Sequence, residues 1–291
     1  MFIYIKKINN EYKINGSQDV ILGNENINGD TGPWAKWSWD GEKLIAEVDR
    51  LGMHPLFYSG NRSYVAVSDS IDELINLDIP RDIDDIAVSS FLILGYFLGV
   101  DTPFESIKAF PVGGILTWDD KGLNVRENRP VYAPSLNHNK KEAIVNYVEL
   151  FKKSINECVD EIDGDFELPL SGGLDSRQIF IELMNLNRFP KKTVTIELPP
   201  TRMEADHIIA KELSELYGVK NTTIPYSADP FSEEVRKNLK YDCLTDEHTW
   251  FMPLSRYMIK NNSRYLFDGI GPGDLLKGRL ENGVSNGRKR R

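Results

Sequence analysis

The chain has 291 residues, of which 27% are charged and 41% hydrophobic, and its formal net charge is −9 at pH 7. This composition is typical of a globular protein with room for two domains, and the negative charge argues against nucleic acid as a partner. No apolar run reaches the roughly 18 residues of a membrane span. Two cysteines are too few for a disulfide framework and suit a reducing compartment. We therefore expect a cytoplasmic protein with neither a nucleic-acid nor a membrane partner.

The first 130 residues or so have the pattern of a mainly β region. Alternating apolar and polar residues predict seven strands, and the first two form a hairpin around Asn9 and Asn10. The predicted strands are 2–7, 11–15, 43–49, 55–59, 62–67, 114–118 and 123–126. Residues 16–42 are rich in Gly, Asn and Asp and are predicted to be loops, with three tryptophans near their end. Residues 83–98 have a helical pattern, in which Ile86, Leu94 and Leu98 lie close to one face.

After a polar linker at 133–139, predicted strands and helices alternate. The first helix, at 141–162, carries a regular apolar stripe that indicates core packing. The stripe consists of Ile144, Tyr147, Val148, Phe151, Ile155 and Val159. Predicted strands follow at 166–170, 193–198, 221–225 and 263–267, and predicted helices at 175–186, 203–217, 230–239 and 247–260. The alternation predicts an α/β fold with a doubly wound parallel sheet, whose ligands lie at the carboxyl ends of the strands.

The most informative segment is Ser171-Gly-Gly-Leu-Asp-Ser176, which joins an apolar run to an amphipathic one. A strand, a glycine loop and a helix in this order direct backbone N–H groups and a helix N-terminus at phosphate. Gly172 and Gly173 permit close backbone approach, while the two serines add hydroxyl groups. Asp175 places a carboxylate beside the anion, an arrangement that makes sense only if Mg²⁺ bridges the two. A Gly-Gly turn alone is common, so the prediction rests on the full string, which lacks the Gly-Lys-Ser/Thr ending of a Walker loop.

Phe166-Glu-Leu-Pro-Leu-Ser-Gly-Gly-Leu-Asp-Ser176 resembles the pyrophosphate loop of the asparagine synthase family. Two other strings resemble the glutaminase domain of that family. Asp49-Arg-Leu-Gly-Met-His-Pro-Leu56 is similar to its Asp-Arg-x-Gly-x-x-Pro-Leu signature, and Phe104 to Gly113 is similar to the phrase that closes the domain. A strand-turn-strand hairpin with a buried arginine would also account for the first of these two strings.

The resemblance implies a glutaminase-like α+β domain of the N-terminal nucleophile type at 1–132 and an ATP-pyrophosphatase domain at 140–280. Residues 281–291 would form a disordered basic tail. In this family ATP activates a carboxylate as an acyl-adenylate, pyrophosphate leaves, and ammonia or an amine then attacks. The implied ligands are ATP, Mg²⁺ and a small-molecule or peptide carboxylate, aspartate by family resemblance, and a homodimer is left open.

The resemblance also assigns roles to individual residues. The ATP and pyrophosphate site would consist of Leu170, Ser171, Gly172, Gly173, Leu174, Asp175, Ser176, Ile196, Asp268 and Gly269. Asp175 and Ser176 would be catalytic, and Asp175 and Asp274 would hold the metal. The match at Asp274 is imperfect, because one extra residue precedes it and Leu275 replaces a glutamate. Asp206 lies in a stretch similar to a family helix, and we expect its side chain to be solvated.

Two departures from the family pattern leave the activity open. Phe2 stands where glutamine-hydrolysing members carry the nucleophilic cysteine, so glutamine hydrolysis is predicted to be absent. In this respect the region resembles the degenerate N-domains of β-lactam synthetases and lasso-peptide cyclases. The family's synthetase domain also extends further than Arg291, which favours an alternative, a catalytically incomplete nucleotide-binding remnant or truncated gene product. A third interpretation, a thiolation or deamido-NAD enzyme with the same loop, is opposed by the string at 49–56.

Overall fold

The computed structural model describes residues 1–9, 11–23, 32–128, 139–197, 204–226, 229–242 and 249–267. These residues form two compact units. The first is drawn from Met1–Pro134 and Phe231–Thr249, and the second from Ser135–Pro230 and Trp250–Arg291. None of the helices in the described ranges combines the length and the apolar character needed to cross a membrane.

The first unit is built on two five-stranded antiparallel sheets. Its strands are β1 (Phe2–Ile8), β2 (Glu11–Gly16), β3 (Asp19–Gly23), β4 (Trp34–Trp39), β5 (Leu44–Val48), β6 (Phe57–Gly60), β7 (Tyr64–Ser68), β8 (Lys108–Ala109), β9 (Ile115–Asp119) and β10 (Gly122–Arg126). Its first two helices are α1 (Ile71–Ile75) and α2 (Asp85–Leu94). One sheet has the order β2-β1-β7-β6-β8 and the other the order β10-β9-β5-β4-β3. The predicted hairpin of β1 and β2 is confirmed.

The two sheets share one apolar core, because every second side chain of a strand points to the same face. Ile3 and Ile5 of β1, Trp37 of β4 and Trp118 of β9 are buried in this core. The other face of the first sheet carries a second apolar cluster that includes residues of α1. The unit thus combines helices with antiparallel sheets, which is compatible with the expected glutaminase-like domain.

Two predictions for this unit are wrong in detail. The stretch 16–42, expected to be loops, contains β3 and β4, and two of its tryptophans face the core from β4. The alternation in Trp34–Trp39 outweighs the Gly- and Asn-rich composition around it. Helix α2 is shorter than predicted, since Gly95 takes a left-handed conformation (φ 80°) at its end. The helix face that carries Ile86 is exposed, with 81% of that side chain accessible. No pattern predicted α1 or β8.

The second unit contains a parallel sheet. Its elements are α3 (Lys140–Asp160), β11 (Glu167–Pro169), α4 (Leu174–Asn185), β12 (Lys192–Glu197), α5 (Glu204–Leu216), β13 (Asn221–Pro225) and α7 (Phe251–Asn261), while α6 (Pro230–Lys240) lies almost wholly in the first unit. The strand order is β11-β12-β13, with parallel pairing throughout. Instead of the predicted fourth strand at 263–267, the structure has a single parallel bridge between Glu167 and Leu266. The chain at Leu266 therefore lies on the side of β11 opposite to β12.

The apolar faces of helices cover both faces of this sheet. Leu168 of β11 belongs to a cluster with residues of α3, α4 and α5, while Val194 of β12 and Ile224 of β13 pack with Leu254 of α7. The connections through α4 and α5 lead away from β11 on one side, and the chain returns on its other side at Leu266. Strand order thus reverses at β11, and ligands of open parallel sheets bind where it reverses, outside the carboxyl ends of the strands.

The apolar stripe predicted for α3 packs only over its second half. Ile155 and Val159 are buried, whereas Ile144 and Val148 are largely exposed. A regular stripe indicates which face of a helix can be buried, but the length that is buried depends on what lies opposite.

The buried Asp49 organises the chain segment that follows β5. Its carboxylate accepts backbone N–H bonds from Leu51 (2.9 Å), Met53 (3.1 Å) and His54 (2.9 Å). The hairpin alternative with a buried arginine is wrong, because Arg50 is exposed and β5 and β6 belong to different sheets. The string at 49–56 therefore connects one sheet to the other, and the buried carboxylate of Asp49 holds this connecting segment in shape.

Replacing Asp49 with alanine should destabilise the first unit. Three N–H groups in partly buried hydrogen bonds would lose their acceptor, so we expect the free energy of unfolding to fall by about 3 kcal/mol. Urea denaturation followed by tryptophan fluorescence measures this, since Trp34, Trp37, Trp39 and Trp118 all lie in the first unit. Asp40→Ala is the matched control, because its exposed carboxylate likewise accepts two backbone N–H bonds. Equal losses in the two variants would contradict the role assigned to Asp49.

Candidate functional site

The segment Ser171–Gly173 lies between the carboxyl end of β11 and the first turn of α4. Gly173 is the N-cap residue of α4 and has no side chain with which to cap it. The first N–H groups of a helix have no partner within the helix, and they carry the positive end of its dipole. The N-terminus of α4 therefore offers hydrogen-bond donors to an anion at this end of the sheet.

Two serine hydroxyls hold the loop in shape. Ser171 donates its N–H to Ser176 Oγ at 3.1 Å, and the two Oγ atoms lie 3.0 Å apart. Gly173 donates its N–H to Ser171 Oγ at 3.1 Å. Arg177 closes the same turn from α4, because its Nε donates to the Gly173 carbonyl at 3.1 Å. The loop is thus pre-formed by its own side chains, which lowers the cost of ordering it around a ligand.

Gly172 is packed against the first turn of α5. A Cβ atom at this position would lie 2.3 Å from Asp206 Oδ1 and 2.8 Å from Asp206 Cα, so no other residue fits without displacing backbone. The neighbouring Gly173 is less confined, since a Cβ there would meet only Ser171 Oγ, at 3.1 Å. Asp206, expected to be a solvated helical residue, instead lies half-buried against the loop.

A buried polar network fixes the strand from which the loop leaves. Thr195 Oγ1 donates to the Leu170 carbonyl at 2.8 Å, immediately before the loop. Asn221 Nδ2 donates to Thr195 Oγ1 at 3.0 Å and to Thr193 Oγ1 at 2.9 Å. Thr193 is in turn within 2.8 Å of Ser214 Oγ on α5. These bonds tie β11, β12, β13 and α5 together just behind the loop.

The loop forms one wall of a cavity of about 400 Å³. Polar groups of the lining come from Ser171, Gly173, Ser176 and Asp206, and we call this part of the lining the polar end. Val194 and Ile196 of β12 and Trp250 and Leu254, at the start of α7 and within it, belong to one apolar cluster, and we call their part of the lining the apolar end. The volume is that of a small-molecule site, and the two ends suit a ligand with an anionic group at one end and an apolar ring at the other.

The structure brings together part of the predicted site. Among the predicted residues, the cavity is lined by Leu170, Ser171, Gly173, Ser176 and Ile196. Gly172 supports the loop from behind, while Leu174 and Asp175 occupy the first turn of α4 outside the cavity lining. The predictions for Asp268, Gly269 and Asp274 lie outside the described residues.

Sequence reasoning missed six residues of the cavity, namely Pro169, Val194, Thr195, Asp206, Trp250 and Leu254. Trp250 and Leu254 come from a helix about 75 positions after the loop, and no local pattern connects the two segments. Asp206 carried a signal, because it follows the carboxyl end of β12 and the first turns of such helices lie beside the ligand. Within the described ranges, no group of three or more His, Cys, Asp or Glu side chains is arranged to hold a metal ion.

Cys158 has none of the features of a reactive thiol. It lies half-buried on α3, away from the loop in sequence, and burial raises the pKa of its thiol, with the nearby Glu161 and Glu157 acting in the same direction. A raised pKa reduces the thiolate fraction at neutral pH, and the thiolate is the nucleophile.

The two strings that resemble a glutaminase domain lie together in the first unit. Phe110 donates its N–H to the Leu56 carbonyl at 2.8 Å, and Val48 donates its N–H to the Gly114 carbonyl at 3.1 Å. Residues 20–129 match the family model of a glutamine amidotransferase domain. The first unit contains an amidotransferase-type domain. This domain includes both strings but no cysteine, since the two cysteines of the chain are Cys158 and Cys243. No protein among the curated sequences matches the chain.

The two adjacent glycines of the loop should respond very differently to a methyl group. Gly172→Ala would force the loop and α5 apart, and overpacking of this kind costs about 1–3 kcal/mol of stability. Gly173→Ala should cost far less, because only a serine hydroxyl has to move. Thermal unfolding of the two variants and wild type, with amide hydrogen exchange of 166–176 as a local probe, measures the difference. Equal effects at the two positions would contradict the packing described for Gly172.

Proposed function

We propose that the chain is an ATP-dependent amide-bond-forming enzyme of the asparagine synthase type. The observation that carries the proposal is the cavity beside Ser171–Ser176, which joins a pre-formed loop of hydroxyl and N–H groups to an apolar pocket at the reversal point of a parallel sheet. A nucleoside triphosphate has the same division into an anionic and an apolar part. The amidotransferase-type domain in residues 20–129 supports the choice of this class, because it precedes such a loop in the family that the sequence resembles.

The residues present fit a phosphate ligand. Gly172 lets the backbone run where a Cβ would clash, and Gly173 leaves the N-terminus of α4 open. Ser171 and Ser176 can turn their hydroxyl protons from each other toward phosphate oxygens without moving the loop. Donors that are already in place stabilise the charge that develops on a leaving pyrophosphate at little reorganisation cost.

The backbone of Ile196 can bind a purine base at the apolar end of the cavity. Hydrogen-bonding groups alternate sides along a strand, and the Val194 carbonyl accepts from Leu170 N–H on the β11 side. Ile196 therefore directs its N–H and C=O to the same side, beyond the end of β11 and into the cavity wall. One donor and one acceptor in this position can pair with the edge of adenine, while the side chains of Leu170 and Ile196 contact the nucleoside.

Asp175 is the carboxylate that we assign to Mg²⁺, with Asp206 as a second one beside the loop and Asp274 as proposed by resemblance. Mg²⁺, when bound, neutralises charge on the phosphate oxygens of ATP. Asp175 lies in the first turn of α4, where its charge is also stabilised by the helix dipole. Asp206 lies against Gly172, and Asp175 belongs to the helix that begins just after this glycine.

We further propose that the amidotransferase-type domain does not hydrolyse glutamine. Phe2 is partly buried against the apolar cluster of α1, and residues 20–129 contain no thiol. Without a thiolate no γ-glutamyl thioester can form. The amine would then be free ammonia or an amine of the substrate. We retain the proposed division of the chain into 1–132, 140–280 and 281–291.

A pyrophosphate-release assay with ATP, Mg²⁺ and aspartate tests the proposal. We expect release by wild type, a decrease of about 100-fold in Asp175→Ala and about 10-fold in Ser176→Ala, in the range found when one charge-stabilising group is removed. Asp163→Ala is the control for loss of an exposed carboxylate in the same unit and should retain full activity.

The pyrophosphate-release assay, combined with calorimetric measurement of ATP binding, separates the alternatives. ATP binding in calorimetry without release of pyrophosphate would favour a catalytically incomplete nucleotide-binding remnant. The absence of both binding and release would contradict the proposed function. Consumption of glutamine above a blank would overturn the role assigned to Phe2.

A further inference from the structure

We infer that Trp250 is the residue on which the base of the bound nucleotide stacks at the apolar end of the cavity. This inference rests on the proposed function, because it names the part of the ligand that the second end of the same cavity takes. Trp250 directly precedes α7 and lines the same cavity as Ser171 and Ser176. No sequence motif and no family resemblance pointed to it.

The apolar end has the composition of a slot for a flat ring. Val194, Ile196 and Leu254 supply aliphatic surface, and Trp250 supplies the aromatic one. Aliphatic side chains alone would accept any apolar group, whereas an indole adds stacking with an aromatic base. The phosphate-binding groups of Ser171 and Ser176 belong to the same cavity of about 400 Å³, so one nucleotide can reach both ends.

The indole is held in place by its neighbours. Phe251 stacks on Trp250 with ring centroids 4.1 Å apart and planes at 22°. Both side chains pack on the cluster of Val194, Ile224 and Leu254. A ring that its neighbours hold in place is pre-organised to contact a base in the cavity that it lines, which lowers the entropy cost of binding.

Helix α7 is also fixed to the sheet by charge. Lys192 Nζ lies 4.9 Å from the centroid of the Tyr257 ring and 3.3 Å from Glu167 Oε1. Ser263 donates its hydroxyl to the same Glu167 oxygen at 2.9 Å. These contacts join β11, β12 and α7. They hold the helix that carries Leu254 against the strands that carry other cavity residues.

Trp250 provides its own signal for the test. The other four tryptophans lie at 34, 37, 39 and 118, all in the first unit, so a change in fluorescence on binding in the second unit reports Trp250. We expect Mg·ATP to quench the fluorescence of the full chain, and Trp250→Phe to abolish the quenching while keeping ATP affinity within about 3-fold. A phenyl ring preserves stacking but gives no indole emission.

Calorimetric affinities then separate the base from the phosphates. Trp250→Ala should bind Mg·ATP about 10-fold more weakly, as expected for loss of one base–aromatic stack, and should bind Mg·tripolyphosphate as wild type does. Met258→Ala is the control, because Met258 packs in the same cluster on the same helix but does not line the cavity. It should leave both affinities unchanged. Tripolyphosphate binding also shows that each variant is folded at the site.

Two results would overturn the inference in distinguishable ways. If wild type binds ATP but Trp250→Ala binds it equally well, or loses ATP and tripolyphosphate affinity to the same degree, the base does not stack on Trp250 and the proposed function still stands. If wild type binds neither ligand, the proposed function fails together with the inference.

Discussion

The close approach of Gly172 to Asp206 is the contact on which the second unit depends. It lets the chain turn from the end of β11 into α4 while the first turn of α5 lies directly behind. Any side chain at 172 would separate the loop from α5, and the cavity would open at its polar end. The position of this contact is set by the sheet, because strand order reverses at β11 and leaves room outside its carboxyl end.

Each unit contains a tight turn whose backbone N–H groups need hydrogen-bond acceptors. The two turns obtain these acceptors from different side chains. In the first unit the buried carboxylate of Asp49 accepts hydrogen bonds from three backbone N–H groups. In the second unit the hydroxyls of Ser171 and Ser176 bond to the loop and to each other. A hydroxyl can rotate toward a new partner, whereas a buried carboxylate held by three bonds cannot. The first turn is therefore structural, and the second can receive a ligand.

The order and type of most elements could be predicted from the sequence, because they rest on local periodicity. The string 171–176 was placed correctly between a strand and a helix for the same reason. β4 was missed because its Trp-rich alternation lies next to a Gly- and Asn-rich stretch that resembles a loop. The aromatic wall at Trp250 could not be predicted, since its approach to the loop depends on how α7 packs across the sheet and not on any neighbouring residue. The buried length of α3 could not be predicted for a similar reason, because tertiary contacts decide how much of its apolar stripe is covered.

We propose that the loop after β11 binds the phosphates of a nucleotide through its backbone. Backbone amide NMR of the ¹⁵N-labelled chain, titrated with Mg·pyrophosphate, tests this most directly. We expect the largest chemical-shift changes at Gly172, Gly173 and the first turn of α4, and no change at the turn around Asp49. Shift changes spread evenly over the chain, or none in 171–176, would contradict it.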